Sequence, residues 1–142
     1  MDKAVSGFTL IEIVVVILVL GILAAFAFPR FASMDAEARK TAVEALGRGV
    51  RDATARARSQ ALARGGPATI TMEGQTITML NGYPNEASID NALQDYTGFQ
   101  YNDAAVARFR RLDAPAPNTC MVTYDDAVAG SPPVISVLTT GC

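Results

Sequence analysis

GFTLIEIVVVILVLGILAAFAF, residues 7–28, is the stretch from which the rest of the chain is read. From Ile13 to Phe28 no residue is charged or strongly polar, and Pro29-Arg30 closes the run. Counted from Phe8, it supplies about 20 mostly apolar residues, the length a helix needs to cross ~30 Å of hydrocarbon. A single carboxylate, Glu12, lies inside it. An unpaired charge at that depth is expensive, so an intramembrane acid is by default a functional residue whose partner has to be found.

What precedes the stretch suggests one. Residues 1–7, MDKAVSG, are short and polar, with Lys3 the only cation and Asp2 offsetting it. A secretory signal is cut after its apolar core; here the candidate cleavage point, Gly7, comes before the core. Cutting there removes residues 1–7 as a leader, leaves the hydrophobic helix on the mature chain and creates a free amine on Phe8 at nearly the depth of Glu12. Lys3 is a weak signal for a cytoplasmic N-terminus and an exported remainder. Three readings of Glu12 stay open at this point. Its partner is the amine of a neighbouring copy, or its own Phe8 amine four residues away, or it has none and is protonated. The first builds a polymer, because a repeated head-to-tail contact that does not close makes a helical filament.

The full 142 residues leave room for one domain besides the apolar segment. Net charge is −2 but uneven: residues 30–64 hold eight cations and four acids, residues 65–142 three cations and eight acids. Such asymmetry fits nucleic-acid binding or, the preferred reading, the meeting of oppositely charged halves of neighbouring subunits. There is no histidine, which removes Ser-His and Cys-His catalysis and the commonest metal ligand. No phosphate loop or metal-ligand cluster stands out, so the chain reads as a non-enzyme that needs no cofactor and holds no metal. Cys120 and Cys142 follow a membrane segment and fit an exported domain in an oxidising compartment.

Residues 30–64 read as an amphipathic continuation of the helix. Phe31, Ala38, Ala42, Ala45, Leu46, Val50, Ala53, Ala57 and Ala61 recur at three- and four-residue steps on one face, which is expected to be half domain core and half filament interior. Glu44 to Arg48 and Asp52 to Arg56 are favourable i, i+4 pairs on the other side. Gly65-Gly66-Pro67 stop the helix, so Phe8 to Arg64 would extend roughly 85 Å at 1.5 Å per residue. Inside it, Gly21 and Pro29 predict local melting or a gentle bend.

Residues 65–142 read as a small globular β region. Ala68–Met72 and Gln75–Leu80 alternate about Glu73-Gly74 as a hairpin, and Asn81–Pro84 is a turn. Ser88 is placed to cap a short helix reaching about Tyr96, with Ile89, Leu93 and Tyr96 on one side. Phe99 and Tyr101 begin a further strand or loop. Arg108-Phe109-Arg110-Arg111 reads as a solvated or inter-subunit patch in preference to a nucleic-acid contact. Thr119–Tyr124 and Pro133–Thr139 are two strands of one sheet, separated by the turn-rich Asp125–Pro132. Cys120 and Cys142 bracket that last hairpin; a cross-link there would add on the order of 3 kcal/mol.

Gly7-Phe8-Thr9-Leu10-Ile11-Glu12, butted onto a membrane-length helix with Gly21 and Pro29, resembles the processing and assembly signature of type IV pilins and type II secretion pseudopilins. The resemblance implies an α+β fold, with a long N-terminal helix whose hydrophobic half protrudes and whose other half packs on a small antiparallel sheet. It divides the chain into a removed leader (1–7), a transmembrane and polymerisation helix (8–29), an amphipathic half (30–64) and a globular region (65–142) with a disulfide-bounded loop at 120–142. It implies cleavage after Gly7 by an inner-membrane prepilin peptidase, N-methylation of Phe8, and pairing of Glu12 with the Phe8 amine of an adjacent subunit. Gly21 to Pro29 would lose helicity in the filament. The partners it implies are further copies of the chain and the inner-membrane pilus assembly machinery. The route runs from an inner-membrane precursor to an extracellular pilus.

Within that group, Ile70–Pro84 (ITMEGQTITMLNGYP) and Phe31–Ala38 (FASMDAEA) are most similar to the MSHA pilins, the mannose-sensitive haemagglutinin type. The reading preferred is a major pilin of that kind, a structural subunit for adhesion and, with a motor, motility. The alternatives weighed are a type II secretion pseudopilin and a minor pilin, including one of a DNA-uptake pilus. The Cys pair standing where major pseudopilins hold calcium argues against the first, and the presence of Glu12 against the second.

Overall fold

The computed structural model describes residues 7–142, and of Phe31 and Ala32 the backbone alone. The leader expected over residues 1–7 therefore lies outside the described residues except for Gly7, as does the placing of Phe31 on the apolar face. The chain divides into two compact units, with the boundary after Asp35. A 54-residue helix, α1 (Leu10–Ala63), begins in the first and ends in the second, with Pro29 inside it. Proline lacks the N–H that would bond four residues back, yet the helix runs on through it.

Among its described residues the first unit consists of Gly7–Thr9 and the start of α1, and its large apolar side chains are exposed. Fifteen large ones between Phe8 and Phe28 keep 40% or more of their surface.

In the second unit the helix carries a buried stripe of Val43, Leu46, Val50, Ala53, Ala57 and Ala61. Steps of three and four put these on one side of a 3.6-residue helix. Val43 belongs to the stripe although the sequence pattern did not place it there. Ala38 and Ala45, expected on the apolar face, are exposed, and Ala42 is half-buried. At 3.6 residues per turn these three positions are rotated away from the centre of the buried stripe, Ala42 least. Gly47 lies on the packed side, where an added Cβ would stand 2.5 Å from Val137 Cγ2. Thr54, also buried, satisfies its hydroxyl by donating to the Val50 carbonyl at 2.7 Å.

The helix stops as its sequence predicts. The Gly66 N–H donates to the Ala61 carbonyl and the Gly65 N–H to the Leu62 carbonyl. That crossed pair needs a residue in the left-handed region, and Gly65 has φ +82°.

The β region forms two antiparallel sheets where one was expected. The first is β1 (Thr69–Met72), β2 (Gln75–Leu80) and β3 (Tyr83–Pro84), in that order. Its two hairpin turns each have two residues at positive φ, Glu73-Gly74 and Asn81-Gly82, the pattern that matches the strand twist. The Asn81–Pro84 turn is thus a two-residue hairpin that starts a third strand. The second sheet is β4 (Phe99–Asn102), β5 (Ala107–Arg111), β6 (Met121–Asp125) and β7 (Val134–Leu138), again in sequence order.

Between the sheets the helix expected from Ser88 to Tyr96 does not form. A single 3-10 turn spans Asp90–Ala92, and Leu93 is already extended. Ser88 is buried and drawn elsewhere: its hydroxyl accepts from the Thr78 N–H at 3.0 Å and donates to Asn85 Oδ1 at 2.6 Å. A serine engaged with β2 is not available as a helix cap. Ile89, Leu93 and Tyr96 still pack on the core, as expected. Phe109, Tyr124, Ile77 and Val122 are fully buried there. Tyr96, Tyr101 and Phe109 pack in tilted and edge-on contacts with ring centroids 4.9 to 6.4 Å apart. The Tyr124 hydroxyl donates to the Pro84 carbonyl and the Tyr101 hydroxyl to that of Glu86, tying the second sheet to the end of the first.

Candidate functional site

The N-terminal motif is open to solvent. Gly7 is exposed, with nothing within 4 Å of where a Cβ would stand. Phe8 is 77% exposed. Thr9 immediately precedes α1, and Glu12 is the third helical residue. The Glu12 N–H donates to Thr9 Oγ1 and the Thr9 N–H donates to Glu12 Oε2, both at 3.4 Å. This reciprocal arrangement, Thr-x-x-Glu, engages two N–H groups at the helix start, and the Glu12 N–H also donates to the Thr9 carbonyl at 3.1 Å. Its signal stands in the sequence as T-L-I-E, beneath the more conspicuous charge. It gives Glu12 an engagement that none of the three readings contained, and it occupies Oε2 alone.

Beyond Glu12, α1 is long and apolar enough to cross a membrane by length and composition, and none of that window is buried. Gly21 leaves a bare place on the helix surface. Gly21 and Pro29 are both helical.

The second predicted feature is the cysteine bracket. Cys120 and Cys142 are joined by a disulfide and both are buried. The loop they close contains β6 and β7, and Ala116, Thr119 and Gly141 join its two ends. The Ala116 N–H donates to the Gly141 carbonyl at 3.1 Å and the Gly141 N–H to the Thr119 carbonyl at 3.0 Å. Only glycine fits at 141, because a Cβ would come within 2.5 Å of the Ala116 carbonyl oxygen. Arg39, unremarked in the sequence, donates from Nε to the Cys142 carbonyl at 2.6 Å and holds the closed loop to α1.

The arginine cluster is dispersed. Strand alternation sends Arg108 and Arg110 to one side of β5 and Arg111 to the side of Ala107 and Phe109. Arg110 reaches Gln100 at 2.9 Å. Arg111 pairs with Asp113 at 2.6 Å, which holds the Asp113 carboxyl below its ordinary range, and its guanidinium lies over Phe99. Three cations close in sequence therefore do not make one phosphate-binding surface. The expected helical pairs Glu44–Arg48 and Asp52–Arg56 are also open: the ion pairs within 4.0 Å among the described residues are Lys40–Glu37 and Arg111–Asp113. Exposed pairs gain little against water and side-chain entropy, so nothing compels them to close.

The acids gather instead. Glu86, Asp90 and Asp103 lie near Tyr101, and Asp126 lies near Tyr124. The Glu86 N–H donates to Asp126 Oδ1 at 2.6 Å. Partial burial, then Asp126, Asp125 and Asp103, push the Glu86 carboxyl above its ordinary value. Burial, and after it Asp103, does the same to Asp90 against two lowering backbone bonds. Burial and neighbouring carboxylates also raise both tyrosine hydroxyls.

Known proteins match parts of the chain. The family pattern described as the prokaryotic N-terminal methylation motif matches residues 2–28. The chain is 47% identical over 56 residues to the type IV narrow pilus major component PilA5 of Thermus thermophilus. That alignment takes in 39% of this chain and 48% of the relative, so the chain spans about half the length of the curated protein it matches. No solved structure matches. Together with a long helix on antiparallel sheets, these findings support a likeness to type IV pilins.

Proposed function

We propose that this chain is a structural, non-catalytic subunit of a type IV pilus, of major and MSHA-like type, which polymerises through α1 into a surface filament for adhesion. The carrying observation is the contrast inside α1. The second unit closes its own core, whereas the segment headed by Gly7-Phe8-Thr9-Leu10-Ile11-Glu12 keeps fifteen large apolar side chains exposed. Apolar surface on that scale requires an apolar partner from outside the chain. Lipid supplies it to a membrane precursor, and α1 segments of other copies supply it in a filament.

In this reading prepilin peptidase cleaves after Gly7 and the new Phe8 amine is methylated. Glu12 keeps its cap to Thr9 through Oε2 and accepts the Phe8 amine of an adjacent subunit at Oε1. Gly21 and Pro29 weaken the helix where the filament requires it to yield. The disulfide and Arg39 keep the 120–142 loop closed on the exported side. The precursor resides in the inner membrane and the product on the cell surface. The methylation motif and the similarity to a pilus major component support this assignment.

The test is Glu12→Ala in cells that make the filament. Processing should proceed, read as a mature N-terminus at Phe8, while filaments released by shearing fall by at least about tenfold, a loss worth ~1.4 kcal/mol per contact at minimum. Normal filament yield from processed Glu12→Ala subunits would overturn the reading.

A further inference from the structure

Asn81-Gly82, the turn between β2 and β3, places an amide side chain directly before a backbone nitrogen that nothing shields. Both residues stand at positive φ, +53° and +82°, and Asn81 is exposed. Glycine carries no Cβ to crowd its nitrogen, and the Gly82 N–H finds no acceptor among the described residues. A cation lies alongside. The position a Gly82 Cβ would take is 3.8 Å from Arg58 Nη1, and the guanidinium is held 4.1 Å from the Tyr83 ring centroid. A neighbouring positive charge favours loss of a proton and the negative charge that follows. The nearest electrophilic carbon along the chain is Asn81 Cγ.

The other four asparagines differ. They are followed by Glu86, Ala92, Asp103 and Thr119, each with a Cβ. Three of those following N–H groups are engaged: that of Glu86 by Asp126, that of Ala92 by the Ile89 carbonyl and that of Thr119 by the Ala116 carbonyl. The Asn81 amide also fastens two parts of the second unit together. Its Nδ2 donates at 2.6 Å to the carbonyl of buried Ala127, in the segment that follows β6. An asparagine side chain can make that bond, whereas an aspartate, ionised, only accepts.

We propose that Asn81 is a site of spontaneous deamidation, promoted by Arg58 and the bare Gly82 nitrogen, and that the change unfastens the turn from Ala127. When the Nδ2 bond opens, the Gly82 nitrogen gives its proton to hydroxide and attacks Asn81 Cγ. The N–Cγ bond forms, the Cγ–Nδ2 bond breaks, and Nδ2 takes a proton from water and leaves as ammonia. Water then opens the cyclic imide. Breaking its Cγ–N bond gives aspartate; breaking the bond between the Gly82 nitrogen and the Asn81 main-chain carbonyl carbon gives isoaspartate. One water enters and one ammonia leaves, with no oxidation or reduction. Either product has a carboxylate and no side-chain donor at 81, on a chain where Ala127 directly follows Asp125 and Asp126. Acceptor against acceptor beside like charges, the bond does not re-form. The site requires only the folded second unit and stands apart from the filament reading.

The experiment incubates the detergent-solubilised full chain at mildly alkaline pH and follows each asparagine by peptide mass spectrometry, with isoaspartate identified from its fragments. Every variant is held the same interval below its own melting temperature, so that unfolding does not set the rate. Asn81 should change at least about tenfold faster than Asn85, Asn91, Asn102 or Asn118. Arg58→Gln should slow it about fivefold, the effect of a unit charge at ~4 Å in water. Arg58→Lys keeps the charge and should retain most of the rate. As Asn81 is consumed, the melting temperature should fall toward that of Asn81→Asp, about 4 °C below the starting chain. Asn81→Gly keeps a residue suited to positive φ and lacks the amide, so its melting temperature should not move on incubation. A rate at Asn81 no higher than at the other asparagines would overturn the site. An Arg58→Gln rate equal to that of the starting chain removes Arg58 from it, and a deamidated chain that melts unchanged refutes the loss of the Ala127 bond.

Discussion

Leu10–Phe28 and Val43–Ala61 belong to the same helix, but different things cover them. In the first, large apolar side chains stand between 40% and 82% exposed; in the second, Val43, Leu46, Val50, Ala53, Ala57 and Ala61 range from 0% to 8%. The residue types also differ. The N-terminal segment is apolar on every side, whereas the later one alternates a narrow stripe of valine and alanine with arginines and acids. An all-round apolar helix has no preferred direction in which to fold back on its own chain and is served by a medium or a bundle. A striped helix is served by one sheet. Sequence alone thus separates a segment whose partner is external from one whose partner is internal, and burial agrees.

The sharpest break of that comparison is a matched pair of truncations. Phe109→Ala empties a fully buried site in the second unit and should destabilise by about 3–5 kcal/mol. Val16→Ala removes an exposed side chain and should leave stability within about 0.5 kcal/mol. Urea unfolding of the detergent-solubilised full chain, followed by near-ultraviolet circular dichroism of the tyrosines, measures both. Equal losses would mean that the N-terminal segment is covered by its own chain after all.

Next in size is the disulfide. Cys120→Ser with Cys142→Ser should lower stability by about 3 kcal/mol. The loss should appear as a lowered urea midpoint and be matched by the unmodified chain under reductant. Because Arg39 and the backbone bonds at Ala116 and Thr119 also hold the loop, a loss well below this figure would shift the weight of closure to them. The variant should leave processing at Gly7 unchanged, since the effect belongs to the second unit.

These outcomes bear on what the sequence makes legible. Features written in neighbouring residues came through: the Glu73-Gly74 turn, the Gly65-Gly66 stop, and the strands about Val122 and Val137; at Phe99, read as strand or loop, a strand forms. Each depends on backbone conformations that a few residues set by themselves. What failed depends on competition across the chain. Ser88 has the chemistry of a helix cap, but Thr78 and Asn85 claim its hydroxyl. Arg108, Arg110 and Arg111 are close in sequence, but the pleat of β5 parts them. Two sheets replaced one because Tyr83-Pro84 turns back on β2 rather than leading into β4. At the N-terminus the charge of Glu12 is legible at once, while its bond to Thr9 is present only as a short pattern that the charge overshadows.

The smallest effect probes the acidic side of the second unit. Partial burial and the carboxylates of Asp126, Asp125 and Asp103 raise the Glu86 pKa in the folded chain. The folded state then holds its proton more tightly than the unfolded state. Stability must therefore fall as pH rises from the ordinary glutamate range through the raised value, and stay at the lower level above it. Glu86→Gln removes the titration, so the variant should be more stable than the unmodified chain at neutral pH. The gain is under about 1 kcal/mol, since water screens so exposed a group. The advantage should vanish once pH drops below the ordinary carboxylate range, where both side chains are neutral. Melting temperatures of the subunit across that range decide it.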